Sequence, residues 1–184
     1  MAYRQLRFPG LIRHPLPAVA PGTCYGRTDL GLAEDPALHA ASLRALLPVE
    51  APVFSSPLAR CRRLAELLHP RPAFDERLRE IDFGEWEMKA WDDIDRTLID
   101  AWAADPFQFA PPGGEAVAAL RARVAECLAD LPEEAVLVTH AGVIKCCMAV
   151  LTGEENWFGL RFDYGAASLI EDGTLVWQNR RGAA

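Results

Sequence analysis

No run of apolar residues in this 184-residue chain is long enough to cross a bilayer. The opening stretch Met1-Ala2-Tyr3-Arg4-Gln5 also lacks the apolar core of a secretory leader. A cytoplasmic chain with no membrane partner is therefore expected. No long block of one charge sign occurs, and the net charge is -7, which argues against an electrostatically driven nucleic-acid binder. A small anionic substrate stays open, because a local arginine cluster can hold phosphate inside an acidic protein. No CxxC pair is present among Cys24, Cys61, Cys127, Cys146 and Cys147, and no metal-type grouping of His and carboxylates is seen. Neither a metal nor another cofactor is expected. With no internal repeat, low-complexity segment or linker, a single domain spanning 1–184 is expected, as a monomer or homodimer.

What is present is an alternation of strand and helix signals. A short apolar strand is predicted within 6–13, although Pro9 and Gly10 make it awkward for a central position. Asp35-Pro36 reads as a helix start, with the helix running to about residue 47. A strand over 51–54 leads to a helix capped by Ser56, with Pro57 in its first turn. A short strand is expected over 71–74, helices over 91–104 and 115–131, a buried strand over 135–139 and a helix from about Val143. Strands over 167–170 and 175–178 flank Asp172-Gly173 and read as a terminal hairpin. This pattern predicts an α/β fold, a three-layer α/β/α sandwich with a mainly parallel central sheet and a C-terminal antiparallel hairpin.

Two strands end alike. Leu11-Ile12-Arg13-His14 and Leu137-Val138-Thr139-His140 each put a histidine at a strand's C-terminal edge, where parallel sheets bind ligands. Arg60 follows the strand ending at Phe54 and can reach the same edge, beside a helix N-terminus. Two histidines and two arginines at one edge suit an anion, and phosphate is the natural guess. Tyr25-Gly26-Arg27-Thr28 reads as a substrate loop or a plain surface loop.

These pieces resemble the histidine phosphatase superfamily, of phosphoglycerate-mutase-like fold. The resemblance runs through Leu11–His14, Tyr25–Leu30, Phe54–Arg60, Leu78–Glu87, Gly113-Gly114-Glu115 and Val138–Ile144, in the family's order. It implies that His14 is the phosphate-accepting nucleophile and that Arg13, Arg60 and His140 hold the phosphoryl oxygens. It makes Glu80 the general acid and counts Tyr25, Gly26 and Arg27 as substrate-binding. Glu85 and Glu87 are expected on a solvated face. Positive neighbours should keep His14 neutral, and a hydrogen bond to its other ring nitrogen would fix the tautomer.

Within the superfamily, the Phe83–Met88 run and the tail from Trp157 through Tyr164 to Asn179-Arg180 resemble α-ribazole phosphatases. The implied substrate is a small phosphorylated metabolite, α-ribazole 5'-phosphate of cobalamin biosynthesis. Alternatives are a broader small-metabolite phosphatase and a catalytically weak phospho-ligand binder. A mutase is less favoured, because the segment between Glu80 and Glu115 offers only Lys89 and Arg96 as basic residues. Its Trp91, Trp102, Phe107 and Phe109 suggest an aromatic lid, or core. Two departures stand out. Pro15 replaces the family's glycine and removes an N–H. Ala20 replaces a frequent asparagine, which leaves Thr23, Tyr25 or Arg27 to complete the pocket.

Overall fold

The strands join into one six-stranded sheet in the computed structural model, which describes residues 8–48, 50–154 and 156–182. They are β1 (Phe8–Arg13), β2 (Val53–Ser55), β3 (Ala73–Phe74), β4 (Glu134–Thr139), β5 (Ala167–Glu171) and β6 (Thr174–Arg180), in the order β3-β2-β4-β1-β5-β6. The first four run parallel, and β5 and β6 are antiparallel. Asp172 and Gly173 both adopt left-handed backbone (φ 47 and φ 75), as a two-residue hairpin turn requires.

The helices are α1 (Ala37–Arg44), α2 (Ala59–Leu68), α3 (Arg96–Ala104), α4 (Val117–Asp130) and α5 (Ala141–Thr152). Residues 11–12 of β1 and 135–138 of β4 form continuous apolar runs because both faces of these strands are covered. Leu11, Ala135 and Leu137 pack with α4 and α5, whereas Ile12, Val136 and Val138 pack with α1 and α2. The period of two in the strands thus feeds two cores. Each fully buried Leu or Ile there contributes about 1.5–3 kcal/mol. A third cluster, outside the sheet, joins Cys24, Trp86 and Ile94 with Phe83, Trp91, Trp102 and Phe109. Among the described residues, no helix is long and apolar enough to cross a membrane.

Several boundaries differ from expectation for local reasons. Pro9 does lie in central strand β1, but β5 pairs only from Gly10 onward, so the proline sits where β1 has a single neighbour. The expected helix over 91–104 breaks at Ile94, which turns into the aromatic cluster. Asp95 then starts α3 by accepting the Thr97 N–H at 2.8 Å. Ser56 is not the cap of α2. Leu58 stays extended, and the helix begins at Ala59, whose N–H is taken by Asp29 from a distant loop at 2.7 Å. Helix α1 ends at Arg44, short of residue 47, and α5 begins at Ala141, immediately after His140.

Candidate active site

Strand register brings the two histidines together. Arg13 pairs with Thr139 and Ser55 with Val138, so His14, His140 and Ser56 all emerge at one edge. The ladder continues one step further, with the His14 N–H on the Thr139 carbonyl at 3.1 Å and the Ser56 N–H on Val138 at 3.0 Å. The imidazoles of His14 and His140 meet edge-on, with ring centroids 5.0 Å apart. Both side chains are buried.

His14 Nδ1 lies 2.7 Å from the Pro15 carbonyl oxygen. A carbonyl only accepts, so Nδ1 carries the proton. Burial, then the charges of Arg60 and Arg13, hold the His14 pKa well below its ordinary value and outweigh the opposing effect of the Pro15 bond. The ring is therefore neutral near pH 7, and Nε2 keeps its lone pair. Proline's missing N–H does not matter for this contact, because the group used is the carbonyl. His140 is likewise depressed by burial, Arg60 and His14, and its Nε2 lies 2.8 Å from the Ser56 hydroxyl.

Arg60 is fully buried at the start of α2. Its Nη1 and Nη2 donate to the carbonyls of Thr28 (2.8 Å) and Gly26 (2.6 Å). Arg13 donates from Nη1 to the Phe162 carbonyl at 2.6 Å and stacks on the Tyr164 ring at 3.6 Å. In both guanidiniums the Nε–H is buried without a partner. Buried donors are normally satisfied, so each of these N–H groups remains able to take an acceptor such as an oxyanion.

Glu80 reaches the start of α5, where its carboxylate accepts the Gly142 N–H at 3.1 Å, and also that of Ile81 at 3.1 Å. A Cβ on Gly142 would collide with Glu80 Oε1, so the approach requires glycine. Glu80 also borders a cavity of about 260 Å³ whose walls include Phe83, Trp102, Trp157 and Phe158. Of the four aromatics expected as a lid, only Trp102 lines this cavity. Phe107 packs on the main core, and Trp91 and Phe109 belong to the third cluster.

A family model for the histidine phosphatase superfamily (branch 1) matches residues 10–181. The chain belongs to that superfamily. Among solved structures, it is similar to TTHB049 from Thermus thermophilus, at 34% identity, TM-score 0.77, and coverage of 94% of this chain and 98% of that one. It is similar as well to the α-ribazole phosphatase of Shigella flexneri, at 28% identity, TM-score 0.82, and coverage of 96% and 98%. A curated protein of Hydrogenobacter thermophilus named "Putative phosphoserine phosphatase 2" is 28% identical over 145 residues, 70% of this chain and 71% of that protein. The family and the two phosphatase-named relatives support a phosphatase.

Around this histidine phosphatase centre, the expected loop residues take unequal places. Tyr25 donates to or accepts from the Tyr164 hydroxyl at 2.6 Å, and Tyr164 also packs against His14 with centroids 5.6 Å apart. Gly26 supplies a carbonyl to Arg60, and a Cβ there would collide with the Ile81 carbonyl oxygen. Arg27 directs its guanidinium to Asp82 (3.4 Å) and Glu115 (3.6 Å). Thr23 and Ala20 line a separate cavity with Tyr25 and Tyr164.

Glu87 departs from the expected solvated face. Its carboxylate gathers the N–H groups of Gly26 (3.0 Å), Arg27 (2.8 Å), Thr28 (3.1 Å) and Phe83 (3.1 Å), and the Thr28 hydroxyl (2.5 Å). Burial works to raise its pKa, but these bonds outweigh it and hold the carboxyl below the usual range. The same segment offers Arg60 its carbonyls, so Glu87 positions Arg60 through the backbone between them. Glu85 is exposed, as expected.

Arg123 performs the converse task. It pairs with Glu115 at 2.5 Å and donates to the carbonyls of Arg77 (2.6 Å), Arg79 (2.7 Å) and Glu80 (3.0 Å), fixing the segment that carries Glu80. Sequence reasoning passed over Arg123 and Tyr164 as site residues. Arg123 had a legible signal, since it falls on the stripe of Leu120, Val124 and Cys127 that α4 buries. Tyr164 had only its place in the tail motif.

Proposed function

We propose that the protein hydrolyses phosphomonoesters through a phosphohistidine at His14, without a metal, and that α-ribazole 5'-phosphate is its physiological substrate. His14 Nε2 attacks phosphorus, forming the N–P bond as the bond to the ester oxygen breaks. Glu80 gives the departing oxygen its proton. The resulting Glu80 carboxylate then takes a proton from water as that water attacks the phosphohistidine. Phosphate leaves, His14 is restored and Glu80 is protonated again. Arg13, Arg60 and His140 hold the phosphoryl oxygens, where the charge of the transition state is spread. Metal independence is supported by these fixed cations beside the nucleophile. Five free buried thiols suit a reducing, cytoplasmic setting.

The observation that carries the substrate reading is the aromatic cavity beside Glu80. The acid must stand at the leaving oxygen, so the leaving group lies there, and a benzimidazole ring suits walls of Phe and Trp. O-phosphoserine would leave that cavity unfilled. The deciding measurement is turnover, with chelator present, of a panel containing α-ribazole 5'-phosphate, O-phosphoserine and an aryl phosphate. Wild type should prefer the first, and preference for O-phosphoserine would reverse the substrate assignment. Acid-labile phosphate should be trapped on wild type and absent from His14→Ala. Equal turnover by both proteins would support the alternative of a phospho-ligand binder.

A further inference from the structure

Two cavities meet along one face of α5. The first is the aromatic cavity beside Glu80. The second is an open polar cleft lined by Arg13, Tyr164, Arg161 and Arg181. Ala141 and Lys145 border both. They are four apart on α5, hence on the same helix face, with Ala141 immediately after His140 and Lys145 one turn further along. A substrate with its phosphate at Arg13 and His14 and its ring among the aromatics must cross this face.

Lys145 is half-buried, with its Nζ donating to the Phe158 carbonyl at 2.7 Å and lying 5.2 Å from the Phe158 ring centroid. It makes no ion pair among the described residues. Burial, with Arg13 and Arg161 nearby, lowers its pKa, and Glu80 opposes this. An ammonium has three protons, and one is used on the protein. The other two stand at the junction, partly stripped of water, and an acceptor crossing that point would satisfy them.

Resting on the phosphatase reading above, we propose that Lys145 is a specificity residue for the linker of the substrate. It hydrogen-bonds the hydroxyl or ring oxygens of a ribosyl unit joining the phosphate to a planar base. Phosphate esters in which the ring is bonded directly to the ester oxygen have no such group to offer.

The experiment compares wild type, Lys145→Met and Lys145→Arg on two substrate classes. One is ribosyl-linked (α-ribazole 5'-phosphate and AMP), and the other is linker-free (1-naphthyl phosphate). Lys145→Met should raise KM about tenfold on the ribosyl substrates, as expected for one charge-assisted hydrogen bond, with kcat within about twofold. On 1-naphthyl phosphate, kcat/KM should stay within about twofold of wild type. Lys145→Arg keeps a charged donor and should recover most of the loss. It also covers the case in which thermal melting shows Lys145→Met to be unfolded. Equal loss on both classes overturns the proposal, because Lys145 would then serve the phosphoryl group, and so does no loss on either. The two readings fail separately. If AMP shows the split but α-ribazole 5'-phosphate is a poor substrate, the linker site stands and the substrate assignment falls. If α-ribazole 5'-phosphate is preferred and no split is seen, the reverse holds.

Discussion

The two sides of this site, proposed above for phosphate and for the leaving group, are built in opposite ways. His14, His140, Arg13 and Arg60 sit at strand ends or a helix start, and each is held by polar contacts to the surrounding chain. The aromatic cavity is assembled from segments far apart in the chain, near Phe83, Trp102, Val117, Lys145 and Phe158, and its walls are mostly apolar. The difference follows from the task. Phosphate carries the same charges in every substrate, so its receptor can be fixed by hydrogen bonds with little freedom. Leaving groups differ in shape, and apolar walls accept a range of them without leaving a buried donor unpaired.

Two charged side chains spend their hydrogen bonds on the backbone around the site. Glu87 collects amide N–H groups under the Arg60 loop, and Arg123 collects carbonyls behind Glu80. An anion that gathers donors and a cation that gathers acceptors are complementary solutions to one problem, holding irregular backbone still near a reacting centre.

Breaking the Glu87 cradle should have the largest effect on the phosphate side. Glu87→Ala leaves several half-buried N–H groups without an acceptor, each costing about 1–3 kcal/mol when fully desolvated. It should lower Tm by about 5 °C or more. It should also cut kcat/KM roughly a hundredfold on every substrate, aryl phosphates included, because Arg60 loses its seat. A loss confined to one leaving-group class would show that the cradle does not serve the phosphate.

Next comes Gly142→Ala, which displaces the Glu80 carboxylate. We expect about a thirtyfold drop in kcat for alkyl phosphates, whose leaving oxygens need a proton, and only a few-fold drop for 4-nitrophenyl phosphate. Equal losses on both would remove Glu80 from the leaving-group side. Phe158→Ala should be milder, since that ring is 43% exposed. KM for substrates with aromatic leaving groups should rise about fivefold, while O-phosphoserine turnover stays unchanged; a matching change with O-phosphoserine would detach the cavity from leaving-group binding.

The smallest effect expected is on the pH dependence of stability. The folded pKa values of His14 and His140 lie below the unfolded value of about 6.5. In the window between, the unfolded chain binds more protons, so stability rises with pH and is lost on acidification below about 6.5. Replacing His14 by Asn should make the fall in Tm between pH 7 and 5 shallower by a few degrees. Parallel curves for the two proteins would mean that His14 is not buried as a neutral ring.

The strand ends, the alternation of elements and the convergence of His14, His140, Arg13 and Arg60 were legible because each rests on a few adjacent residues whose spacing matches a strand or a helix start. Leu11–His14 and Val138–His140 needed only to be read as parallel strands for their histidines to share an edge. Boundaries were less legible where a distant group decided them, as Asp29 does for Ala59 and the aromatic cluster does for Ile94. Glu87 illustrates the limit. By composition a carboxylate belongs in water, and only the folded chain brings four amides to it.

The sequence by itself determined the layer architecture and the sheet edge at which His14, His140, Arg13 and Arg60 gather, because apolar period and strand polarity are local properties. Tertiary structure decided which aromatics line the cavity beside Glu80 and which fill the core. It also decided that Pro15 serves His14 through its carbonyl, and that Lys145 stands where the two cavities join. Those outcomes depend on contacts between segments distant in the chain, and no local spacing encodes such contacts.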